Sequence, residues 1–191
     1  MARNPERRTA LVDAAIEVLA REGARGLTFR AVDQEAGVPV GTASNYFASR
    51  DDLFTQAGTR IHVRMTPDPD EARQAMSPEP SRELLTELMR WLVRRMTENR
   101  TGYLAMLELR LEGTRRPALQ AELNHAVRAD FESNVQLYKE SGFPGDTDTF
   151  LALFLAMTGL LLEHFTLPDL LSDRAVDDLV DTVVTRIVPD A

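Results

Sequence analysis

The stretch GVPVGTASNYF, residues 37 to 47, decides the interpretation of this 191-residue chain. Turn-forming residues open the stretch, small side chains follow, and two aromatic residues close it. Residues 28 to 36 and residues 40 to 47 each have the pattern of a short helix. Two short helices joined by a tight turn at Gly37 are typical of a helix-turn-helix.

The second of these helices has the composition of a helix that enters a DNA groove. In a helix-turn-helix the amino-terminal end of the second helix enters the major groove first, and small residues there allow close approach to the base edges. Hydroxyl and amide groups can then bond to phosphates or bases. The alternative is a helical hairpin with a polar exposed face. Phe47 is expected to turn inward, and the candidate contacts are Val40, Gly41, Thr42, Ser44, Asn45 and Tyr46.

Capping signals predict helices on both sides of this motif. An N-cap residue, a proline and an acidic residue predict a first helix over residues 5 to 22. Ser49, with Asp52 three residues later, predicts a capped helix over residues 50 to 65. Residues 66 to 80 contain four of the ten prolines of the chain. This density interrupts helices and predicts a linker.

Beyond the linker the apolar periodicity predicts helices, and no strand-like alternation extends over more than a few residues. The expected fold is all-α, with an amino-terminal helix-turn-helix domain and a carboxy-terminal helical domain. The predicted divisions are 1–49 for the helix-turn-helix domain, 50–65 for a connecting helix, 66–80 for the linker and 81–191 for the second domain. The later helices are predicted at 81–99, 101–112, 117–142, 147–165 and 173–188.

The segment 147 to 165 is apolar around nearly its whole circumference, whereas a surface helix has one apolar stripe. It can pack with the last helix as a hairpin and still leave apolar surface, which a second copy would cover in a four-helix bundle. The alternative is the central core helix of a monomer. The predicted dimer contacts are Leu151, Leu155, Thr158, Leu162, Val176, Val180, Val183 and Ile187.

Charge distribution directs an anionic partner to the first third of the chain. The net charge is −8, but residues 1 to 65 hold nine arginines and eight acidic residues. DNA is therefore expected to meet this segment.

The chain has no cysteine and no secretory pattern, so a cytoplasmic location is expected. The most apolar stretch, residues 150 to 165, is shorter than the ~20 residues of a membrane span, so no membrane contact is predicted.

The segment from Arg7 to Phe54 resembles the DNA-binding domain of TetR-family transcriptional regulators. The resemblance rests on a first-helix pattern that ends in Glu22 and Gly23, then on GLTFRAVDQEAGV at 26 to 38 and VGTASNYFASRDDLF at 40 to 54. It implies a ligand-responsive regulator, most often a repressor, which binds a palindromic DNA operator as a homodimer and responds to a small-molecule effector. The competing interpretation is a helical binding or interaction protein without specific DNA binding.

The resemblance also places individual residues. Thr42 and Tyr46 match positions that contact phosphates, and Arg50 stands where a lysine commonly does so. Pro39 replaces a small hydroxyl residue that often caps the recognition helix, and Ser44 stands where an aromatic residue is common. Thr28, Arg30 and Pro39 complete the predicted DNA-binding set, and Arg3, Arg7 and Arg8 are further candidates for the flanking backbone.

No catalytic constellation, cofactor motif or metal motif is present, because the three histidines form no HExxH arrangement and no phosphate-binding glycine loop occurs. An enzyme is therefore not expected. By resemblance, the helices from 81 to 165 surround an effector cavity. Each candidate for its lining could equally be core. These candidates are Trp91, Tyr103, Met106, Leu107, His125, Phe131, Phe154 and Met157.

Overall fold

The structure is a computed structural model that describes residues 4 to 190, and within this range it contains helices and no strand. The predicted all-α fold is confirmed. A 3-10 helix at Pro168–Leu171 precedes the last α-helix. The α-helices are α1 (Pro5–Gly26), α2 (Phe29–Glu35), α3 (Thr42–Tyr46), α4 (Arg50–Met65), α5 (Pro69–Ala75), α6 (Arg82–Glu98), α7 (Arg100–Gly113), α8 (Pro117–Ser141), α9 (Thr147–Thr166) and α10 (Val176–Ile187).

Most helix starts follow capping signals in the sequence. The Asn4 side chain accepts hydrogen bonds from two first-turn amides of α1, and the Thr28 hydroxyl accepts one from Ala31 at the start of α2. Ser49 caps α4, and Asp146 forms a capping box at the start of α9. These caps satisfy N–H groups that have no partner within the helix.

Several boundaries differ from the sequence prediction, among them the start of the last helix, which lies at Val176 and not at residue 173. Helix α1 continues past residue 22 to Gly26 because Gly23, with φ +69°, allows a kink instead of an end. Helix α3 does not begin at Val40, because Gly41 has φ +93° and lies outside the helix. The proline-rich segment is not free of helix, since Asp68 caps the short helix α5 within it.

The chain divides into two compact units that are not continuous in sequence. Unit 1 comprises the chain up to Thr66 together with Asn99–Val127. In it α7 packs against α1 and α4, which also pack against each other. The predicted domains are continuous segments of the chain, and this division stays a prediction. The fully buried side chains of the unit 1 core include Leu11, Ile16, Leu19, Val32, Leu53 and Phe54.

Unit 2 comprises Pro67–Glu98 and the chain from Arg128 onwards. Helix α10 packs against α6 and α9, and a 2.5 Å ion pair joins Arg90 of α6 to Asp181 of α10. The second half of α8 adds an aromatic cluster in which Phe131 lies 5.1 Å from Phe154, ring centroid to ring centroid. The buried apolar side chains of this unit include Leu84, Leu85, Met96, Leu153, Leu161, Phe165 and Val184.

Helix α9 is longer than the apolar stretch of residues 150 to 165. It has 20 residues, and its most apolar window has a mean hydropathy of 1.5. The length argument against a membrane span is therefore wrong. Length and composition alone are weak grounds for a span, because the core helix of a soluble protein passes the same test. One face of α9 does pack inside unit 2, through side chains such as Leu153 and Met157.

Candidate nucleic-acid interface

Helices α2 and α3 form the predicted helix-turn-helix. The amide of Val38 donates to the carbonyl of Asp33 at 3.0 Å, which closes the turn after α2. Gly37 has φ +64°, a left-handed conformation that favours glycine. The turn that connects α2 to α3 therefore contains two glycines, Gly37 and Gly41, at positions where other residues would be strained.

The recognition helix α3 is capped from a different helix. Its N-cap residue is Gly41, which has no side chain to serve as a cap. Instead, the Asp33 carboxylate of α2 accepts hydrogen bonds from the amides of Gly41 and Ala43, both at 2.7 Å. Asp33 is only 1% exposed, so these bonds lie in a site with little competing water. Asp33 thus takes the capping role that the hydroxyl residue replaced by Pro39 would have.

The side chains of α3 divide between the core and the surface as the interpretation requires. Ala43 and Phe47 are buried against the unit 1 core, so the prediction for Phe47 is confirmed. Val40 is 77% exposed. Pro39, Ser44 and Asn45 are also exposed, whereas Gly41, Thr42 and Tyr46 are half-buried. The predicted contacts on this segment therefore share one accessible ridge.

The polar side chains of this ridge are held by local hydrogen bonds. The Ser44 hydroxyl donates to the Gly41 carbonyl at 2.8 Å, and the Asn45 amide group donates to the same oxygen at 3.0 Å. The Thr42 hydroxyl donates to the Pro39 carbonyl at 2.5 Å. A hydroxyl oxygen that donates one bond still has acceptor capacity. These groups can therefore accept hydrogen bonds from base amino groups without rearrangement.

The remaining predicted DNA contacts surround α3 in different ways. Thr28 and Arg30 are exposed at the start of α2. Arg50 directs its guanidinium inward, because it donates to the Leu27 carbonyl at 2.8 Å and to the Ala24 carbonyl. Its contact with a phosphate stays a prediction, and the remaining N–H groups of the guanidinium would have to make that contact. Arg8 donates to Gln56 of α4 at 2.8 Å, and Arg3 lies outside the described residues.

The predicted effector residues fall into both units. Trp91, Phe131, Phe154 and Met157 belong to unit 2, whereas Tyr103, Met106, Leu107 and His125 belong to unit 1. Tyr103 and Met157 are buried, and burial raises the pKa of the Tyr103 hydroxyl. His125 is exposed on α8. Their shared role as a pocket lining stays a prediction.

Two grooves lie within single units, and neither is lined by a predicted effector residue. A groove of about 410 Å³ in unit 1 lies beside the first turns of α4 and α8. A smaller one of about 210 Å³ in unit 2 lies between the end of α9 and the start of α10. Among residues 4 to 190 no group of three or more potential metal ligands is found.

The predicted dimer contacts on α9 share one side of the helix. Leu151, Leu155 and Leu162 are 40%, 59% and 40% exposed, and Thr158 is half-buried. At about 100° per residue, their mean direction lies roughly 110° from that of the buried stripe of Leu153, Met157, Leu161 and Phe165. The contact assigned to Val180 is wrong, because Val180 is fully buried in its own unit. Leu179, one residue earlier, lies with Val176, Val183 and Ile187 on the half-buried stripe of α10.

Two carboxylates, Asp33 and Glu108, have structural roles that the sequence did not predict. Asp33 could have been found, because it lies four residues after Phe29 on a face of α2 that is otherwise apolar. Glu108 of α7 accepts a hydrogen bond from the Ala24 amide of α1 at 3.2 Å. A contact between residues 84 positions apart leaves no periodic signal in one sequence.

Comparisons with known proteins agree with this architecture. Residues 11–57 match the family described as bacterial regulatory proteins, tetR family, and residues 80–190 match the tetracyclin repressor-like C-terminal domain. The chain is 25% identical to the HTH-type nicotine-responsive transcriptional repressor HdnoR of Paenarthrobacter nicotinovorans, over 95% of this chain and 96% of that protein. The chain therefore belongs to the TetR family of transcriptional regulators, and this relationship supports a DNA-binding transcriptional repressor.

Solved structures resemble the chain over nearly its full length. The multidrug binding protein EbrR in complex with ethidium is 32% identical, with a TM-score of 0.67 over 97% of this chain and 100% of that one. EbrR has also been solved with malachite green, at 31% identity and a TM-score of 0.68 over 97% and 99% of the two chains. A TetR-family member from Streptomyces coelicolor A3, SCO1917, is 31% identical, with a TM-score of 0.70 over 97% and 99%.

Proposed function

We propose that this chain is a ligand-responsive repressor that binds a palindromic operator as a homodimer in the cytoplasm and leaves it when a small-molecule effector binds. The observation that supports this most directly is the ridge of predicted contacts between Pro39 and Tyr46, in which Pro39, Val40, Ser44 and Asn45 are exposed. The cap from Asp33 holds the start of α3 in this ridge. Members of this family are generally not enzymes, and we propose no reaction for this chain.

Specific binding would come from two copies acting together. In a helix-turn-helix dimer the two recognition helices lie about one helical turn of DNA apart, or 34–36 Å. The exposed leucines of α9 supply a self-complementary surface of the kind that a two-fold axis requires. A palindromic operator follows, because each head reads the same half-site.

The effector we propose is an aromatic compound that carries a positive charge or a basic nitrogen. Two relatives support this class: HdnoR is nicotine-responsive, and EbrR has been solved with ethidium and malachite green. The chain after residue 65 is strongly acidic, which attracts cations. The aromatic cluster of α8 and α9 offers ring faces that bind such groups. An effector of this kind releases DNA only if it binds the DNA-incompetent conformation more tightly.

The operator is found by selection of genomic fragments with the purified protein, followed by fluorescence anisotropy on the selected duplex. We expect salt-dependent binding to a palindrome and much weaker binding to a scrambled duplex of the same composition. Equal affinity for both duplexes would instead favour a helical binding protein without an operator.

Tyr46→Ala should weaken operator binding by about tenfold, because a phenol that reaches a phosphate contributes roughly one hydrogen bond with a charged acceptor. Anisotropy titration measures this effect, and Tyr46→Phe isolates the hydroxyl. Exposed Gln34→Ala on α2 serves as the control. Wild-type affinity in both Tyr46 variants would remove this residue from the interface.

Malachite green should release the operator. Above the dissociation constant of the dye, the apparent dissociation constant of the operator should rise linearly with dye concentration. Release is measured by anisotropy of the labelled operator, with naked duplex titrated in parallel because the dye itself can bind DNA. Nicotine tests the same class with a compound of different shape. An operator complex that withstands both compounds at millimolar concentration would eliminate this effector class.

A further inference from the structure

The junction between α1 and the helix-turn-helix is held from two sides. Gly23 interrupts α1 with a positive φ, and the chain then runs from Ala24 through Leu27 to Thr28, the cap of α2. Ala24 and Leu27 are buried, at 7% and 0% exposure. This short segment therefore determines how α2, and through it α3, is mounted on α1.

The first contact comes from α7. The Glu108 carboxylate accepts a hydrogen bond from the Ala24 amide at 3.2 Å. The same oxygen would lie 3.0 Å from a Cβ at position 23, so the glycine also leaves room for the carboxylate. Glu108 thus approaches the backbone at the kink itself.

The second contact comes from α4. The Arg50 guanidinium donates to the carbonyl of Ala24 and, at 2.8 Å, to the carbonyl of Leu27. The N–H and the C=O of the single residue Ala24 are therefore bound by side chains of two different helices. A residue held in this way moves when either helix moves.

A second set of contacts ties α7 to α4 directly. Arg116, which follows α7, donates to Glu112 at 2.5 Å and forms an ion pair with Asp51 of α4. The hydrogen bond from Arg116 lowers the pKa of Glu112. Phe54 of α4 lies between two guanidinium groups, 5.3 Å from Arg50 and 5.1 Å from Arg116, each measured from Cζ to the ring centroid.

We propose that Glu108 and Arg50 form a clamp on Ala24 through which the position of α7 sets the position of the helix-turn-helix. This inference rests on the proposed effector response and deepens it. Helix α7 carries three of the predicted effector residues, Tyr103, Met106 and Leu107, within two turns of Glu108. A shift of α7 caused by an effector would reach Ala24 through the Glu108 side chain.

The test compares Glu108→Ala with Glu108→Gln in the full-length protein. Loss of the carboxylate should speed amide hydrogen exchange at Ala24 by about tenfold. The ratio of operator affinities without and with malachite green should fall to about a third of the wild-type ratio or less. Glu108→Gln should retain both properties, because its amide oxygen can accept the same bond. A residue that only stabilised the fold would change both affinities and leave their ratio unaltered.

Two further variants make the result decisive. Glu122→Ala removes the same charge from an exposed position of unit 1 and should behave as wild type. Arg50→Lys keeps the charge but cannot reach two carbonyls with a fork. Because Arg50 is also a predicted phosphate contact, this variant is judged by the affinity ratio and by exchange at Ala24, which should both change in the direction expected for Glu108→Ala. It takes the place of Glu108→Ala if that variant does not fold.

Wild-type exchange at Ala24 and a wild-type affinity ratio in Glu108→Ala would overturn the clamp. If the wild-type protein binds its operator but no effector releases it, the proposed effector response fails separately. The clamp is then judged by exchange at Ala24 and operator affinity. Faster exchange together with lower affinity in Glu108→Ala, with both kept at wild-type values in Glu108→Gln, supports the clamp, and a wild-type value of either property in Glu108→Ala overturns it.

Discussion

Asp33→Ala is expected to lower operator affinity by roughly a hundredfold, because two N–H groups at the start of α3, one buried and one part-buried, lose their acceptor at about 1–3 kcal/mol each. Helix α3 has only five residues, and a helix this short does not persist without its cap. The remainder of unit 1 keeps its core, so the thermal midpoint of unfolding should fall only slightly while the operator affinity falls strongly. Anisotropy titration and a thermal melt measure the two effects.

Two companion variants separate the cap from the charge of Asp33. Asp33→Asn should be intermediate, because its single carbonyl oxygen can accept only one of the two amides comfortably while its NH₂ group faces the other. The double variant Asp33→Ala with Pro39→Ser should recover part of the affinity, since a hydroxyl at position 39 can cap the first turn locally. Glu35→Ala removes an exposed acid from the same helix and should bind as wild type. Unaltered binding by Asp33→Ala would show that α3 is positioned by packing alone.

The sequence predicted those features that depend on neighbours within one helical turn. The caps at Thr28 and Ser49 each act on an amide three residues away, and such spacing is visible in one sequence. The helix-turn-helix and the all-α fold follow from the same local signals. Asp33 and Glu108 act over 8 to 10 and 84 residues. Only the tertiary fold brings these groups together.

The directions of the α10 side chains show a second limit of prediction from the sequence. Val176, Val183 and Ile187 are half-buried, and their dimer role stays a prediction, whereas Val180 of the same predicted set is fully buried. At about 100° per residue, Val180 projects within about 60° of all three, so helical spacing places it in the same stripe. All four residues are apolar, and composition alone cannot distinguish the inner face from the outer one when a helix is apolar on two sides.

A third limit of sequence-based prediction concerns the effector residues, because a protein core and the lining of a binding pocket are built from the same residue types. Tyr103 and Met157 are buried as core residues are, whereas His125 is exposed. Aromatic and aliphatic side chains fill a core and line a binding site with the same contacts. Helix α5 in the proline-rich segment was not predicted for another reason: Asp68 and Pro69 form a helix start, in which a proline at the first position is favourable. The role of residues 66 to 80 as a linker stays a prediction.

Leu155→Glu is expected to convert a dimer to a monomer and to lower operator affinity by roughly a hundredfold or more, since each head then binds its half-site alone. Leu155 is the most exposed leucine of α9, at 59%. A glutamate there costs the isolated subunit little, about 0.5 kcal/mol or less. In the dimer it would place like charges close to the two-fold axis in an apolar surface, which is strongly unfavourable. Light scattering gives the mass in solution, and anisotropy gives the affinity.

Leu111→Glu makes the same substitution at a leucine of α7 that is 57% exposed, and it should leave both the mass and the operator affinity at wild-type values. The pair of variants separates the loss of an interface from the general effect of an added negative charge near DNA. If Leu155→Glu remained dimeric, the second copy would have to bind elsewhere on the chain. A wild-type protein that is monomeric at micromolar concentration would remove the dimer proposal altogether, because the leucine face of α9 would then be a solvated surface.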